Sequence, residues 1–500
     1  MTQLDLSSPL GITLALLPEI LLTTWAIIVL LVVSWRHETV EDSRVAGWLS
    51  FAGVLVSGAG LAALWVNQVV PDGLAQMVAL DPFRYAASAI ALLSAGATIL
   101  LSLGYLEREH LLAPEYYPLV LLATAGMMFL AGAEDFIVLF LGLEVMSVAV
   151  YVLAGYNRAN AFSAEAALKY FLIGAFASGF LLYGIALTYG ATGTTNLSIA
   201  GAQLAGRPLP LMAALGLGLL LIGFGFKVAA VPFHMWAPDV YDGSPTPVTG
   251  FMATGVKAAA FAALVRVLLE TFPSADRIWQ PIIAGLAIAS MVVGNLIALA
   301  QRSLKRMLAY SSIAHAGYLL VAVWPASRTG AGAVLAYLLA YSLTTLASFG
   351  FLSALGRGGE REVTYDDIAG LAATRPWIAA GLSVCMLSLL GFPGTFGFIG
   401  KWYIMTAVIA EGQVILPVIL VLTSVISAGY YLPVIMAMYM RPAAAPARFD
   451  KVRLAPAAAG ALALSIAAIV VFGFWPGGLL DLAGRSAQTL TQTGMPVAGR

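Results

Sequence analysis

The sequence predicts an all-α polytopic membrane protein with about fourteen transmembrane helices. The chain has 500 residues, of which 61% are hydrophobic and only 10% are charged. A soluble domain usually carries about 25% charged residues, so this chain has too few to cover a water-exposed surface. Uncharged stretches of about 20 residues, long enough to span a bilayer as helices, recur with only short polar gaps between them. We therefore predict one transmembrane domain that covers residues 1–500.

The apolar stretches between polar breaks give the predicted helices in order. The first stretch, 11–34, is too long for the core of a signal peptide and no basic residue precedes it, so we predict an uncleaved span. The stretch 377–410 is treated as one interrupted helix because GFPGTFGFIGKW breaks its pattern. The predicted helices are 11–34, 45–66, 83–105, 115–132, 134–153, 166–190, 210–231, 245–270, 281–300, 305–323, 331–354, 377–410, 414–440 and 455–476.

Basic residues predict the orientation of the chain. Loops after even-numbered helices hold few of them: Arg84, Arg207, Arg277 and Arg328. Loops after odd-numbered helices hold many more: Arg36, Arg44, Arg108, Arg158, Arg302, Lys305, Arg306, Arg357, Arg361, Arg375, Arg441, Arg448, Lys451 and Arg453. Because cytoplasmic loops carry the excess of Lys and Arg, we predict that both termini lie outside the cytoplasm.

Charge and cysteine content exclude several classes of function. The formal net charge is zero, so no basic surface for a nucleic-acid partner is expected. The single cysteine, Cys385, excludes a disulfide framework and a cysteine-ligated zinc or iron–sulfur centre held by this chain alone. We predict no bound metal and no cofactor on this chain.

Lysines occupy unusual places. The chain has 19 arginines and six lysines, and the arginines dominate the loops. Arginine stays charged under almost all conditions, whereas a lysine in an apolar setting can release its proton. Lys227 and Lys257 fall inside long apolar segments, and Lys401 lies in the interrupted one, so we predict that these three carry protons. Lys169 and Lys305 begin helices, where a lysine can also extend to the headgroups, and their roles stay open.

One carboxylate lies in the middle of a predicted span. Glu144 occurs in FIVLFLGLEVMSVAVYVLAGY, eight residues after Phe136. A buried carboxylate without a partner would take up a proton, whereas a nearby lysine would hold it ionised. The alternative is a purely structural ion pair between two helices. Ionisable groups inside membranes are usually functional, and we therefore predict a buried glutamate that exchanges protons.

Two predicted helices are interrupted by proline and glycine. Pro232 breaks helix 7 in VPFHMWAP, and Pro393 with Gly394 breaks helix 12 in GFPGTFGFIGK. Unwound backbone inside a membrane is tolerated only where protein or water satisfies it, so each break implies a polar region. Helices 7 and 12 run in opposite directions by this count. The pattern predicts two inverted five-helix repeats, helices 4–8 (roughly 115–270) and helices 9–13 (roughly 281–440).

Two histidines and one possible ion pair complete the set of candidates. His315 lies inside helix 10 and titrates near neutrality, so it is a candidate relay, although a packing role is also open. His234 lies beside the first helix break and is either a relay or a capping group. Glu165 and Lys169 are four residues apart, the spacing of an ion pair on a helix surface.

Three long stretches carry a resemblance to a known family. AEAALKYFLIGAFASGFLLYGIALTYGATG, FKVAAVPFHMWAPDVYDGSPTPVTGFMATGVKAAAF and SLKRMLAYSSIAHAGY resemble the subunit N family of the bacterial proton-pumping NADH:quinone oxidoreductase, respiratory complex I. The resemblance covers nearly the whole chain. It implies an antiporter-like subunit in the bacterial inner membrane, with fourteen helices, two inverted repeats and termini on the periplasmic side. The expected partners are the lipid bilayer and the neighbouring antiporter-like and small membrane subunits.

The resemblance also implies roles for individual residues. Glu144 and Lys227 match the family's switchable proton-channel pair, Lys257 matches its relay lysine, and Lys401 matches the lysine that serves the far side. Lys305 and His315 match the pattern around helix 10. Protons would move from the cytoplasm outwards, driven by quinone reduction elsewhere in the complex. NADH, FMN, the iron–sulfur clusters and the quinone would be bound by other subunits, so this chain is part of an enzyme without carrying a redox centre.

Other functions remain open from the residues alone. The same scaffold would serve a subunit of a multisubunit sodium/proton antiporter, which would exchange ions without a redox partner. An intramembrane enzyme would use the broken helices as a cleft, with Asp239 and Asp242 in APDVYDGSP as its candidate acids. A purely structural component of a membrane complex is the third alternative, and the buried ionisable groups argue against it.

Overall fold

All fourteen predicted spans are helices in the structure. The computed structural model describes residues 2–5, 8–35, 39–67, 69–72, 77–111, 114–206, 208–356, 363–442 and 454–490. The spanning helices are α1 (Pro9–Ala15 and Leu17–Ser34), α2 (Val40–Val66), α3 (Pro82–Arg108), α4 (Tyr116–Ala131), α5 (Phe136–Ala154), α6 (Ala161–Thr192), α7 (Leu211–Lys227 and Ala237–Gly243), α8 (Thr246–Thr271), α9 (Asp276–Leu299), α10 (Leu304–Val323), α11 (Arg328–Leu355), α12 (Pro376–Leu390 and Phe396–Ala410), α13 (Ile415–Met440) and α14 (Pro456–Phe474). The chain is thus an all-α polytopic membrane protein, as predicted.

Helix starts differ most from the prediction where the first turn is polar. The predicted start of helix 2 at residue 45 is late, because α2 begins at Val40. The Thr39 hydroxyl accepts a hydrogen bond from the backbone N–H of Asp42 at 3.2 Å and caps the helix. In the same way Asn160 caps α6, which begins at Ala161, five residues before the predicted start at 166. Side-chain caps satisfy backbone donors that apolar periodicity does not register.

Several small elements were not predicted. Strands β1 (Thr2–Asp5) and β2 (Val69–Asp72) pair in parallel next to the first two helices. A short helix, Leu197–Leu204, connects α6 to α7. Helix α15 (Gly477–Ala487) follows α14 in the tail, where the sequence offered little to decide between structure and loop.

Seven of the basic residues that were used for the orientation lie outside the described residues: Arg36, Arg207, Arg357, Arg361, Arg448, Lys451 and Arg453.

Both predicted helix breaks are present. The first half of α7 ends at Lys227 and the second begins at Ala237, so Pro232 lies in the gap. The halves of α12 are separated by residues 391–395. Helices 7 and 12 are therefore discontinuous, and each break leaves a lysine next to unwound backbone.

Glycines make the second break possible. Gly391 and Gly394 have φ angles of 88° and 87°, in the left-handed region that L side chains rarely adopt. Gly473 of α14 lies against the break, and a Cβ there would stand only 2.3 Å from the Gly394 carbonyl oxygen. The unwound backbone is thus packed against protein, which is where a membrane tolerates it.

Helix α8 contains two π-helical turns that the sequence did not reveal. They are Met252–Val256 and Val267–Thr271, and the α-helical segment Lys257–Arg266 lies between them. A π-turn inserts an extra residue, which rotates the side chains that follow and frequently marks a functional site. The two charged residues of α8's interior, Lys257 and Arg266, each stand at the edge of such a turn.

Close glycine contacts join the first two helices of each predicted repeat. Where α4 crosses α5, a Cβ at Gly126 would lie 2.4 Å from the Met146 backbone nitrogen. Where α9 crosses α10, a Cβ at Gly294 would lie 2.7 Å from the Ala314 backbone nitrogen. Small residues let membrane helices approach closely, and the two corresponding pairs use them in the same way. The repeat limits of 115–270 and 281–440 stay a prediction.

Helices α8 and α11 form the centre of the molecule. The most apolar stretch of α8 is 100% buried and that of α11 is 94% buried, against 33% for α6. Helices such as α6 and α13 therefore line the periphery, with apolar side chains directed outwards. Any charged group on α8 is enclosed by protein on all sides, so it can only be solvated by other residues or by enclosed water.

Candidate functional site

Lys227 ends the first half of α7 and points at α5. Its ammonium donates a hydrogen bond to the Ser147 hydroxyl at 2.6 Å, and both residues are buried. The rings of Tyr151 and Tyr170 lie 5.6 and 5.8 Å from Nζ, measured to the ring centroids. The Lys227 ammonium is thus stabilised by a neutral hydroxyl and by the faces of two aromatic rings. None of these partners is a carboxylate, which would hold the ammonium in its charged form.

Glu144 lies on the outer side of α5, which corrects the prediction that it is buried. The carboxylate is half-buried and accepts a hydrogen bond from the Ser178 hydroxyl of α6 at 2.5 Å. Leu141, Val145 and Val148 on the same side are 56%, 47% and 54% exposed. The opposite side of α5 is occupied by the close crossing with α4, so position 144 has to face outwards.

Glu144 and Lys227 are neighbours but do not form a salt bridge. Among the described residues, no ion pair joins them, and each is instead bound by a serine. Ser178 and Lys227 line the same cleft of about 10 Å³, close to the smallest volume that holds one water molecule. The two predicted members of the pair are therefore brought together, with hydroxyl groups between them.

Lys257 is enclosed in the centre of the protein. Its ammonium donates to the carbonyl oxygen of Ser312 at 2.7 Å and to the hydroxyl of the same residue at 2.5 Å. The Tyr341 hydroxyl donates to the Ser312 hydroxyl at 2.8 Å, and the Tyr341 ring centroid lies 5.6 Å from Nζ. One serine of α10 therefore connects a lysine of α8 to a tyrosine of α11.

His315 lies one turn further along α10. Its Nδ1 forms a hydrogen bond of 2.7 Å with the Tyr337 hydroxyl, and its Nε2 forms one of 3.2 Å with the Tyr431 hydroxyl. Tyr431 is also hydrogen-bonded to Ser311. Both ring nitrogens have partners that can donate or accept, so a proton can enter on one side of the ring and leave on the other.

Lys401 lies across the break in α12. Its ammonium donates to the carbonyl oxygens of Leu389 and Leu390 at 3.1 and 3.0 Å and to the Ser424 hydroxyl at 3.1 Å. These carbonyls end the first half of α12, where the helix dipole favours a cation. The Tyr318 ring centroid lies 4.6 Å from Nζ. Lys401 was predicted to lie near the break in α12, and in the structure it contacts the backbone at that break directly.

Tyrosines and one asparagine fill the space between these groups, and the sequence analysis missed them. The Tyr430 hydroxyl donates to Asn295 Oδ1 at 2.7 Å, and Asn295 Nδ2 donates to the Tyr318 hydroxyl at 3.2 Å. Tyrosine is common in apolar helices, so no local pattern distinguishes these rings. We name the whole group the central seam, which consists of Lys257, Asn295, Ser311, Ser312, His315, Tyr318, Tyr337, Tyr341, Lys401, Tyr430 and Tyr431.

The ammonium groups of the site have no counter-charge in contact. Among the ion pairs of the described residues, none includes Lys227, Lys257 or Lys401. All three are at most 4% exposed. A cation taken out of water and held only by neutral oxygens is costly, so such a group releases its proton more readily than it would in water.

A charged cavity of about 850 Å³ opens at one end of the helices. Lys169 bridges Glu165 at 2.6 Å and Asp239 at 2.9 Å, which confirms the predicted ion pair and extends it. Arg306 contacts Asp239 at 2.9 Å. The charged lining residues are Arg108, Glu109, Glu165, Lys169, Asp239, Asp242, Lys305 and Arg306.

Polar groups lead from this cavity towards Lys257. Thr246 lines the cavity at the start of α8, and the Thr249 hydroxyl, one turn further, donates to the Tyr241 carbonyl oxygen at 2.9 Å. The Tyr241 hydroxyl contacts the Ser312 hydroxyl, to which Lys257 is bound. Lys305, whose role was open, donates to the Ser244 carbonyl oxygen beside the same route.

His234 is placed away from the central seam. It is half-buried in the gap of α7, in the stretch that contains Pro232, and its Nδ1 atom is buried without a hydrogen-bond partner. The predicted relay role is not supported by any contact of His234 with the seam residues in the described chain. Its position in the gap agrees better with the capping alternative.

A second cluster of buried charges was not predicted. Arg266 of α8 contacts Asp81 at 2.8 Å, Glu270 at 2.9 Å and Glu134 at 3.4 Å. We name these four residues the Arg266 cluster. The sequence contained a usable indication, because Arg266 and Glu270 are four residues apart inside a predicted span, where charged pairs are rare.

The described residues contain no metal-binding cluster of three or more histidine, cysteine or acidic side chains. Cys385 is fully buried in α12. Asp239, the strongest acid candidate for an intramembrane enzyme, is paired with two cations in the cavity, and no nucleophile-and-base arrangement accompanies it among the hydrogen bonds of the described chain.

Comparisons with known proteins identify the family. The family described as "NADH:quinone oxidoreductase/Mrp antiporter, TM" matches residues 133–427. A protein of Gemmatimonas aurantiaca named "NADH-quinone oxidoreductase subunit N" is 44% identical over 99% of this chain and 97% of its own length. Other relatives of the same name are 39–45% identical.

Solved structures share the fold. A chain of respiratory complex I from Thermus thermophilus with bound aureothin is 37% identical and superimposes with a TM-score of 0.77, covering 93% of this chain and 99% of that one. A chain of the Mrp complex from Dietzia sp. superimposes with a TM-score of 0.83 over 97% of this chain and 98% of that one, but is only 24% identical and shows the fold alone. The chain therefore belongs to the NADH:quinone oxidoreductase/Mrp antiporter family of transmembrane proteins, together with the relatives named NADH-quinone oxidoreductase subunit N.

Proposed function

We propose that this chain moves protons across the bacterial inner membrane as a membrane subunit of an NADH-quinone oxidoreductase. The relatives at 39–45% identity carry that name, and the related solved chain at 37% identity belongs to respiratory complex I. The single observation that carries the proton role is the set of lysines enclosed in the membrane centre and held by neutral oxygens. Such groups bind and release protons, and no other chemistry explains why they are lysines.

The proposed route begins at the charged cavity. Protons pass from the cavity beside Thr249 and reach the Tyr241 hydroxyl through enclosed water, because the Thr249 hydroxyl itself is bound to the Tyr241 backbone carbonyl. The Tyr241 hydroxyl contacts Ser312, which accepts from the Lys257 ammonium. His315 and its tyrosine partners carry the proton along the seam to Lys401 at the second helix break. Direct hydrogen bonds join parts of this route, and enclosed water bridges its gaps between Thr249 and Tyr241, between Ser312 and His315, and next to Lys401. Only O–H and N–H bonds form and break, and no covalent intermediate is needed.

Glu144 and Lys227 control the proton affinity of this part of the chain. The two groups are now separated by serine hydroxyls, and bringing them into contact would stabilise both charges. Moving one charge against 100 mV costs about 2.3 kcal/mol. A tenfold change in proton affinity corresponds to about 1.4 kcal/mol, so a change of roughly fiftyfold is sufficient. Small movements of two side chains are therefore adequate to drive transport.

A neighbouring subunit covers Glu144. In the single chain this carboxylate stands half-buried among exposed apolar side chains of α5, a position in which lipid offers no partner for its charge. A partner with a polar group at the same depth would keep it ionised. Small membrane subunits and neighbouring antiporter-like subunits of the complex are the proposed partners, and the lipid bilayer surrounds the rest of the chain.

The chain takes part in the enzyme without performing its redox step. NADH, FMN, the iron–sulfur clusters and the quinone are assigned to other subunits of the complex. Quinone reduction supplies the energy, and the chain's own residues contribute proton uptake, storage and release. The direction of transport, from the cytoplasm to the periplasmic side, follows from the predicted orientation with both termini outside.

A sodium/proton antiporter subunit is the alternative within the same family. The Mrp chain shares the fold but is 24% identical, whereas relatives named subunit N reach 44% over nearly the full length. Gentle purification from the native membrane separates the two functions. Co-purifying subunits that carry flavin and iron–sulfur clusters would support the oxidoreductase, and a complex that exchanges sodium for protons without them would support the antiporter.

The proton role is tested by replacing Lys227 with alanine in the whole complex, reconstituted into liposomes. We expect Lys227→Ala to lower the protons pumped per NADH oxidised by at least about tenfold, since positioned proton-transfer groups contribute about 10²–10⁴-fold. The measurement is the initial rate of acidification inside the liposomes together with NADH:quinone activity.

Arg441→Ala serves as the matched control, because Arg441 is a 55% exposed cation at the end of α13. It should pump like the wild type. If Lys227→Ala also retained wild-type pumping and wild-type NADH:quinone activity, the role assigned to Lys227 would be wrong.

A further inference from the structure

The charged cavity and the Arg266 cluster lie at opposite ends of the same helices. The cavity is lined by Arg108 at the end of α3 and by Asn157 just after α5. The cluster includes Asp81, which caps the start of α3, and Glu134, which precedes the start of α5. Helix α3 has 27 residues, so at 1.5 Å per residue the two sites are about 40 Å apart. They therefore face opposite sides of the membrane.

Lys257 lies between them on α8. Helix α8 begins at Thr246 in the cavity wall and reaches Arg266 and Glu270 near its end. Lys257 is eleven residues from Thr246 at the cavity and nine residues from Arg266 in the cluster. At 1.5 Å per residue, it lies about 14–16 Å from each of them. A single helix thus connects the cavity, the relay lysine and the cluster.

The Arg266 cluster contains more carboxyl groups than cations. Three carboxyl groups surround one guanidinium, and Arg266 and Glu270 have side chains that are 1% and 2% exposed. The neighbouring buried pair, Arg84 with Glu19 at 2.6 Å, is already balanced and contributes no spare positive charge. With every carboxyl ionised, the cluster would carry two uncompensated negative charges away from water, which is too costly to persist.

The geometry shows where an extra proton is held. Glu134 and Glu270 both accept from the same Arg266 nitrogen, Nη1, at 3.4 and 2.9 Å, which places their carboxyl groups side by side and in contact with each other. A hydrogen bond between two carboxyl groups requires a proton on one of them, because an ionised carboxylate only accepts. Ser198 donates to Glu134 Oε1 at 2.5 Å and Arg266 donates to Glu134 Oε2 at 3.4 Å, so both oxygens of Glu134 already accept hydrogen bonds and the proton of the pair is assigned to Glu270.

Helix α3, which runs from the cluster to the cavity beside α8, carries unpartnered buried hydroxyls among its described residues. Ser88 and Thr98 of α3 are fully buried, and their hydroxyls have no hydrogen-bond partner in the described chain. Ser94 lies between them, and its Cβ would be 3.2 Å from a Cβ at Gly255, two residues before Lys257. Buried hydroxyls without protein partners normally bind enclosed water, so Ser88, which lies between the level of Lys257 and the cluster, provides one position for such a water.

From these observations we propose that the Arg266 cluster is a proton-binding site that stores one proton between Glu134 and Glu270 and releases it on the side opposite the cavity. A proton that leaves Lys257 for the cluster, on a branch separate from the seam route to Lys401, binds Glu270. The proton that Glu270 held passes to Glu134, and Glu134, whose side chain is 13% exposed against 2% for Glu270, releases it to water. One N–H bond breaks at Lys257, and otherwise only O–H bonds form and break. Arg266 keeps the remaining carboxylates together and occupies the position that a metal cation would need.

The release role rests on the proposed function, whereas the stored proton does not. We would record infrared spectra of the purified complex at neutral pH for the wild type, Glu270→Gln and Glu134→Gln. We expect the wild type to show the carbonyl band of a protonated, buried carboxylic acid, and we expect either substitution to remove it. Glu411→Gln, at an exposed position after α12, is the matched control and should keep the band.

Pumping measurements on the same samples test release. Glu270→Gln should fold, because Arg266 retains two carboxylates, and it should lower the protons pumped per NADH oxidised at least about tenfold. If neither substitution removed an acid band, the stored proton would be disproved. If the band were lost but Glu270→Gln pumped like the wild type, the release role would be overturned. Lys257→Ala distinguishes the two proposals: its pumping should fail while the acid band of the cluster remains.

Discussion

At the scale of single residues, the site depends on neutral partners for its cations. Lys227, Lys257 and Lys401 each donate to a serine hydroxyl, and Lys257 and Lys401 also donate to backbone carbonyls. A carboxylate in contact would hold each ammonium in its charged form, whereas hydroxyls and carbonyls stabilise the charge only in part. The choice of partner therefore matters as much as the choice of lysine.

A substitution of Ser312 tests most directly whether the neutral partners of the lysines matter. Ser312→Ala removes the hydroxyl that accepts from Lys257 and Tyr341 and leaves a buried donor without its partner. We expect the complex to lose about 1–3 kcal/mol of stability at this position and to pump fewer protons per NADH oxidised. Thermal unfolding of the purified complex and liposome acidification provide the two measurements.

Ser383→Ala is the control for this substitution, since the Ser383 hydroxyl bonds only to the Ala379 carbonyl of its own helix. It should leave both quantities close to those of the wild type. Equal effects of the two substitutions would show that the Ser312 hydroxyl has no special role.

The lysines could be predicted from the sequence, but their partners could not. A lysine in an uncharged stretch is conspicuous, and Lys227, Lys257 and Lys401 were found in this way. Tyrosines and serines are ordinary residues of membrane helices, so Tyr337 and Ser312 gave no local indication of their contacts. Glu144 was predicted to be buried because its surroundings in sequence are apolar. Sequence alone does not distinguish an apolar side that faces protein from one that faces a neighbour or lipid.

At the scale of helices, close crossings position the charged residues. Gly142 of α5 lies against α4, where a Cβ would stand 2.6 Å from the Leu130 backbone nitrogen. This contact fixes the rotation of α5, and with it the directions of Glu144 and Ser147. Helix lengths and the breaks in α7 and α12 were predictable from apolar runs, prolines and glycines. The π-turns of α8 were not, because they depend on how neighbouring helices pack rather than on local composition.

The close crossing of α4 and α5 can be tested by adding one methyl group at Gly142. Gly142→Ala should push α5 away from α4, at a cost of about 1–3 kcal/mol for overpacking, and should lower the amount of chain found in the assembled complex. Quantitative immunoblotting of the purified complex provides the measurement.

Gly179→Ala is the matched control, because nothing lies within 4 Å of a Cβ at Gly179 in α6. It should be neutral or add about 0.5–1 kcal/mol of stability by reducing chain entropy. Wild-type assembly of Gly142→Ala would contradict the close crossing.

At the scale of the whole molecule, the two faces of the membrane are chemically different. One face carries the wide, charged cavity of about 850 Å³, and the other carries the compact Arg266 cluster. The excess of loop arginines predicts that the cavity faces the cytoplasm. This orientation determines the direction of proton movement.

Sidedness can be measured with single cysteines. Cys385 is fully buried, so it should not react with a membrane-impermeant thiol reagent. We expect Arg441→Cys, at the end of α13, to react only in inverted vesicles and Glu411→Cys, after α12, to react only in spheroplasts. The opposite pattern would place the cavity outside the cytoplasm and reverse the proposed direction.

The central claim is that the enclosed lysines act by exchanging protons and not only by carrying charge. The most direct measurement compares Lys257→Arg with Lys257→Ala in the reconstituted complex, because arginine keeps the positive charge but does not release its proton. The account predicts that both variants lose at least about tenfold in protons pumped per NADH oxidised. Wild-type pumping by Lys257→Arg would contradict it, because a fixed charge at that position would then be sufficient.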